Sequence, residues 1–350
     1  MPFFYAQMLS LRKIYDMKRC LFLLFITLFI FSSCNQKSLK KVHFTGVAQG
    51  TYYSIAYYDV MGRDFQDDID SILTAFDQSV SVYQPNSIVS KVNRNEDVEL
   101  DDWFIQNFKL SQQISEASDG LFDITIGPLA NVWGFGTFDQ PGSIDKSRID
   151  SAKQFVGFHR MRLENSKIIK DDEHMQLNFN AIAQGYAVDV LADFIDEQGI
   201  DDYLIDLGGE IFAKGEKPNG DKWKIGIEIP EDGAEERFYN RIVSIQNEAV
   251  ATSGNYRKYY EIDGIKYAHT LNPKTGYPVK HSLLSTTVIG PSAAIADAYA
   301  TAFMVMGKEK TLEFVKNKSE IKVYLMFDEE GKIKSTMSKN FEPYLSVGSE

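Results

Sequence analysis

The chain of 350 residues carries 37 lysines and arginines against 49 aspartates and glutamates, a net charge of −12, with 44% hydrophobic residues and 13% aromatics. That composition buries a large core in one large or two modest domains, and it excludes a disordered, collagen-like or disulfide-stapled chain. It also argues against nucleic-acid binding through a positive surface, which needs clustered Lys and Arg; a phosphate-bearing ligand must meet a local site, with a cation of its own.

Both cysteines, Cys20 and Cys34, fall in the first tenth of the chain. The body therefore offers no zinc ribbon, redox CxxC pair or cysteine nucleophile. Lys18 and Arg19 precede an uncharged apolar run from Cys20 to Phe31. That run is well short of the roughly 20 residues a bilayer core requires, so it reads as a signal peptide rather than a spanning helix. Phe31-Ser32-Ser33-Cys34 resembles a bacterial lipobox, which implies cleavage before Cys34, lipidation of its sulfur and a body on the periplasmic side of a membrane, the inner membrane being favoured. A short anchor that stays attached is the alternative, and Met17 is a second candidate start. Residues 35–41 are polar and read as a tether.

Val42 to Tyr58 is rich in β-branched and aromatic residues and predicts a strand or hairpin through Gly50. Ile69, Ile72, Leu73 and Phe76 then have helical spacing over Asp64–Gln78, and a second helix spans Asp101–Ser118, closed by Gly120. Ile124 to Gly142, punctuated by glycine and proline around Trp133, Phe135 and Phe138, predicts a pocket-lining loop. Ala183, Ala187, Val190, Leu191, Phe194 and Ile195 share one face of a helix from Asn180, its expected cap, to Gln198. Tyr203–Leu207 reads as a strand meeting Gly208-Gly209, and Trp223, Ile225, Ile227 and Ile229 alternate as in a half-buried strand, as do Val323, Leu325 and Phe327. A helix capped by Ser292 runs to Met306 and stops at Gly307. Strands and helices without regular βαβ spacing predict an α+β fold with mostly antiparallel sheets.

Small and polar residues concentrate in Ala251-Thr252-Ser253-Gly254-Asn255-Tyr256-Arg257 and in His269 to Pro278. Thr252, Ser253 and Gly254 can present hydroxyls and backbone N–H groups to an anion, although Ser-Gly by itself is more often a plain turn. Asp297 and Thr301, four apart among alanines, project from one helix face. Such a carboxylate and hydroxyl could hold a hard cation such as Mg²⁺, which takes oxygen ligands and leaves positions to water and phosphates. A helix-surface pair is the plain alternative.

Several blocks in order resemble the ApbE flavin transferases (FAD:protein FMN transferases) from about Gly50 to Gly307. They are Gly50-Thr51-Tyr52-Tyr53, Ser79 to Ser87, Phe122 to Leu129 with Trp133-Gly134-Phe135, Ala181 to Asp189, Asp206 to Glu210, Ala251 to Gly254, His269 to Pro278, and Ala296-Asp297-Ala298 with Thr301. The resemblance implies one domain over residues 42–350 with FAD in a cleft between two lobes. It implies a Mg²⁺-dependent enzyme moving the FMN half of FAD onto a Thr or Ser of a partner protein, a membrane flavoprotein, with release of AMP. It also implies metal ligands at the Ala181 carbonyl, Asp297 and Thr301. FAD contacts would come from Gln49, Tyr83, Leu121, Phe122, Asp123, Asn178, Gln184, Ser253, His269 and Leu271, with His269 and Asp297 catalytic.

Two positions depart from the usual family pattern, Asn178 in place of an Asp and Gln184 in place of a Lys. The local charge sum is unchanged and both amides still hydrogen-bond. Asn272 replaces a further Asp at a position read as turn geometry. Mg²⁺-dependent FAD hydrolysis and plain FAD binding by a lipoprotein are the alternative functions. His43, His159, His174 and His281 are read as structural or surface residues.

Overall fold

In the computed structural model the described residues are 39–136, 146–229, 239–255, 259–262, 265–268 and 270–346. The segment read as a signal peptide, Cys34, Phe138 and His269 lie outside them.

The chain begins with a hairpin, β1 (Lys40–Ala48) and β2 (Thr51–Asp59), followed by helices α1 (Gln66–Val80), α2 (Ile88–Asn93), α3 (Asp102–Ala117), α4 (Gly127–Trp133) and α5 (Lys146–Lys153). A short hairpin β3 (Met161–Glu164) and β4 (Lys167–Lys170) leads to α6 (Ala183–Glu197), then to β5 (Tyr203–Leu207), β6 (Glu210–Lys214), β7 (Trp223–Glu228), β8 (Tyr239–Ile245) and β9 (Glu248–Gly254). The hairpin β10 (Tyr259–Ile262) and β11 (Ile265–Ala268), strand β12 (Leu283–Gly290), helices α7 (Ala293–Met306) and α8 (Lys308–Val315), and strands β13 (Lys322–Glu329) and β14 (Lys332–Met337) complete it.

Eight strands form one sheet in the order β1-β2-β5-β6-β9-β12-β13-β14, and each neighbouring pair is antiparallel. Its outer strands carry Lys40 and Lys41 at one edge and Lys332 and Lys334 at the other, charges that discourage further pairing. The α+β, antiparallel expectation therefore holds.

Alternation along the strands gives the sheet two apolar faces. Tyr53, Ile55, Tyr57, Ile205 and Leu207 point to the face covered by α1, α3, α6 and α7. Ala56, Ile211, Ala213, Val250, Ile289 and Tyr324 point the other way, where the β7–β8 hairpin covers them with Trp223, Ile225, Ile227, Val243 and Ile245. Helix α7 is buried nearly all round, as its alanine-rich, uniformly apolar sequence requires. A third cluster joins Leu129, Ala130 and Trp133 of α4 to Ile149 and Ala152 of α5 and to Leu271.

The loop expected at Ile124–Gly142 contains a helix, α4. Pro128 occupies its first turn and Gly134 ends it in the left-handed conformation, φ 76°, so these residues punctuate a helix and not a loop. Its aromatics do find cover: Trp133 Nε1 donates to the Gly276 carbonyl at 2.8 Å and its ring meets Tyr277 edge-on. Thr252, Ser253 and Gly254 likewise form no turn. They end the central strand β9, with Ser253 opposite Thr286 and Gly254 opposite Ser285.

Candidate functional site

A cleft of about 1170 Å³ opens at the end of the large sheet. It exceeds the usual range for small-molecule pockets, about 300–1,000 Å³, and suits a dinucleotide-sized ligand. Tyr83, Leu121, Phe122, Asp123, Asn178, Ala181, Gln184, Ser253, Leu271, Asp297 and Thr301 all line it. The chain thus brings together in one cavity residues that lie up to 218 positions apart, from Tyr83 to Thr301. Gln49 is not among the lining residues: it sits in the β1–β2 turn with φ 51°.

The floor of the cleft is the meeting of α6 and α7. Asn180 does not cap α6, because its Nδ2 donates to the Tyr83 hydroxyl at 3.0 Å. The residue preceding that helix is Ile182, which has no side chain able to cap. The carboxylate of Asp297 reaches across from α7, and its Oδ2 accepts the Gly185 N–H at 3.1 Å. In a regular helix that N–H would bond the Ala181 carbonyl; here the Ala181 oxygen has no backbone N–H donor among the described residues.

Asp297 is 8% exposed, so it is not a surface residue, and no lysine or arginine pairs with it among the described residues. Burial raises its pKa, the Gly185 N–H opposing the shift. A buried carboxylate, a hydroxyl one helical turn away at Thr301 and an undonated carbonyl at Ala181 are hard oxygen ligands, the set Mg²⁺ prefers. Among the described residues no three His, Cys, Asp or Glu side chains cluster for a metal.

A second carboxylate fixes the helix that carries Asp297 and Thr301. Asp189 of α6 accepts the N–H groups of Ala293 and Ala294 at 2.7 and 2.9 Å, satisfying the N-terminus of α7 from outside. Burial pushes its pKa up to about 6, against those two N–H donors and the Ser292 hydroxyl. Asp189→Ala is expected to lower unfolding free energy by about 2 kcal/mol through the loss of these charge-assisted bonds. Urea denaturation of the metal-free protein checks it.

The other walls are equally defined. Asp123, also 8% exposed, accepts from the Thr125 hydroxyl at 2.6 Å and the Thr125 and Phe158 N–H groups at 2.8 Å each. Its carboxylate thus shapes the 121–126 loop, and burial still holds its pKa up. Asn178 Oδ1 accepts the Asn180 N–H at 2.9 Å, a turn bond that Asp or Asn makes equally well. Asn272 Oδ1 accepts from Lys274 and Thr275 N–H and is the turn former its position suggested.

Several lining residues had no role assigned from the sequence: Tyr52, Asp206, Gly208, Gly209, Glu210 and the run Lys224–Glu228 of β7. The available signals were Gly208-Gly209 beside Asp206 and Gly226 inside a strand, since an interior strand glycine often marks a close approach. Among the described lining residues Asp123, Asp206, Glu210, Glu228 and Asp297 face a single ammonium, Lys224. A cation accompanying a diphosphate into this cleft would offset the charge of such carboxylates.

The ApbE family model matches residues 49–325. The chain is 32% identical over 328 residues to the FAD:protein FMN transferase of Vibrio cholerae serotype O1, covering 91% of this chain and 97% of that protein. It is 33% identical over 335 residues to the FAD:protein FMN transferase of Escherichia coli K12, covering 90% and 94%. Among solved structures, the flavin transferase ApbE from Vibrio cholerae matches with a TM-score of 0.79 at 31% identity, covering 88% of this chain and all of that one. The apo form of the Pseudomonas stutzeri flavinyl transferase ApbE matches with a TM-score of 0.79 at 32% identity, covering 89% and 98%. By sequence over most of its length and by fold, the chain belongs to the ApbE family.

Proposed function

We propose that this chain transfers the FMN half of FAD to a Thr or Ser hydroxyl of a partner protein. The acceptor oxygen bonds to the FMN phosphorus, the diphosphate P–O bond to the AMP half breaks, and the hydroxyl proton leaves. AMP is the other product. The observation that carries this reading is that Asp297, Thr301 and Ala181 line one cleft large enough for a dinucleotide. Phosphoryl transfer depends on positioning and charge neutralisation more than on covalent participation by the protein. A Mg²⁺ held by those oxygens would neutralise the diphosphate.

Within that reading, Tyr83, Leu121, Phe122, Asp123, Asn178, Gln184, Ser253 and Leu271 shape the FAD site. His269 is assigned to the proton or to a phosphate oxygen by its place in the family motif and by the chemistry of imidazole near neutral pH. The test incubates the detergent-solubilised protein with FAD, Mg²⁺ and a membrane extract, then reads in-gel flavin fluorescence and AMP release. A fluorescent acceptor band with stoichiometric AMP supports transfer. AMP and FMN without a labelled band identify a hydrolase, and neither product identifies a plain FAD binder.

We also propose that residues 42–350 act as one flavin-transferase domain, held at the periplasmic face of a membrane by a lipid on Cys34. No helix among the described residues is long and apolar enough to cross a membrane. Cys34→Ser is therefore expected to move the protein to the soluble periplasmic fraction with activity retained, as read by fractionation and the fluorescence assay. Persistence of that variant in the membrane would refute the anchor.

A further inference from the structure

The backbone that leads into α6 is held by a side chain that is not among those lining the cleft. Leu177 is buried, so its main-chain N–H and C=O need partners within the protein. Both find them in Asn93, the last residue of α2. Its Oδ1 accepts the Leu177 N–H at 2.7 Å, and its Nδ2 donates to the Leu177 carbonyl at 2.8 Å. One amide side chain thus supplies the donor and the acceptor that an opposed strand residue would supply. Asn at a helix end ordinarily bonds to its own neighbourhood; here the partner is 84 positions away.

The residues after Leu177 belong to the cleft, which Asn178, Asn180 and Ala181 line. The Asn178 N–H donates to the Ile124 carbonyl at 2.7 Å, and Asn180 reaches the Tyr83 hydroxyl. Tyr83 and Asn93 flank the same short helix. Ser87, the cap of α2, accepts the Ser90 N–H at 3.1 Å and donates to the Ser81 carbonyl at 2.8 Å, while Val89 and Val92 are sunk in the core. One anchored unit therefore grips the segment at two points, Leu177 and Asn180.

We propose that Asn93 is a positioning residue for FAD: by clamping Leu177 it sets where Asn178 and the Ala181 carbonyl stand in the cleft. The proposal rests on the FAD reading above and adds a residue that acts on that site through the backbone. Without the amide, a buried N–H and a buried C=O lose their partners, and the segment must move to find others. Asn178 and Ala181 move with it.

Asn95 is the control. Its Nδ2 donates to the Glu173 carbonyl at 3.0 Å and its Oδ1 accepts from Lys170 Nζ at 2.8 Å, so it also makes two bonds across to this part of the chain, but at residues that do not line the cleft. Its φ of 60° suits glycine, so Asn95→Gly removes the side-chain bonds without straining the backbone.

The test uses the detergent-solubilised full-length protein with FAD and no acceptor. Asn93→Ala is expected to raise the dissociation constant for FAD, read by titration of flavin fluorescence, by about tenfold. Amide exchange at Leu177 and Asn178 in the FAD-free protein should quicken by about tenfold or more, with the amides of β5 unchanged. Asn95→Gly should move the dissociation constant by less than about twofold. Asn93→Asp keeps the volume and the acceptor for the Leu177 N–H and loses the donor to its carbonyl. It should fall between wild type and Asn93→Ala, and it carries the test if the alanine variant does not fold.

A residue that only braces the fold would lower the fraction of protein able to bind FAD and leave the dissociation constant of the remainder unchanged. That result, wild-type affinity in the Asn93 variants, or an equal loss of affinity in Asn95→Gly would each overturn the proposal. Failure of the FAD reading is seen earlier and separately, as the absence of FAD binding by the wild type, and the positioning proposal then falls with it.

Discussion

Asp297→Ala is expected to reduce transfer by about 10³-fold or more, the loss that follows removal of a charged group acting on a transferring phosphoryl centre, while the fold survives. Both halves follow from its surroundings. Asp297 is the carboxylate of the proposed ligand set, and among the described residues no lysine or arginine pairs with it. For stability, the carboxylate is buried, accepts one N–H from Gly185, and is held at a raised pKa by that burial. Its removal gives up one hydrogen bond, about 1 kcal/mol, and relieves a desolvated charge.

A second readout separates metal binding from any other role of Asp297. Saturating Mg²⁺ at a hundred times its dissociation constant stabilises a protein that binds it only when folded by about 2.7 kcal/mol. The wild-type thermal midpoint should rise accordingly, and that of Asp297→Ala should not. Thr301→Ala removes a neutral ligand that water can replace, so a loss of about tenfold is expected, recovered at higher Mg²⁺. Wild-type activity of the Asp297 variant at low Mg²⁺ would reject the assignment.

Why Asp297 could be suspected from sequence, and Asp189 could not, lies in the range of the interactions. Spacing along α7 put Asp297 and Thr301 on one face, and Ser292 was recognisable as the cap whose side chain accepts the Ile295 N–H, because both signals act within a helical turn. The strands of the large sheet announced themselves by alternation, as in Tyr53, Ile55 and Tyr57, each fully buried. The N-terminus of α6 was misread because its cap is non-local. Asn180 has the right chemistry, but Tyr83 takes its amide and a carboxylate 112 positions beyond Gly185 takes the N–H. The same holds for Asp189, whose partners Ala293 and Ala294 are over a hundred residues away.

Gly185→Ala is expected to damage stability and catalysis together, although alanine ordinarily favours a helix interior by about 1 kcal/mol over glycine. A Cβ at this position would lie 2.3 Å from the Ala293 carbonyl oxygen, 2.6 Å from its carbon and 2.8 Å from Asp297 Cβ. Two of these are backbone atoms that cannot rotate aside, and Ala293 is itself held by Asp189 through its N–H at 2.7 Å. Helices α6 and α7 must therefore separate by about an ångström, an overpacking strain of about 1–3 kcal/mol or more. The separation stretches the Gly185 N–H bond to Asp297 and moves Asp297 away from the Ala181 carbonyl. Misplacement on that scale costs about 10²-fold in rate. The informative control is Gly290→Ala at the end of β12, where the nearest atoms to a new Cβ are at 3.7 Å, an ordinary contact. Denaturant midpoints and transfer rates for both variants decide the matter: Gly290→Ala should match the wild type. If Gly185→Ala does so too, α6 and α7 do not need their close approach to hold the ligand set.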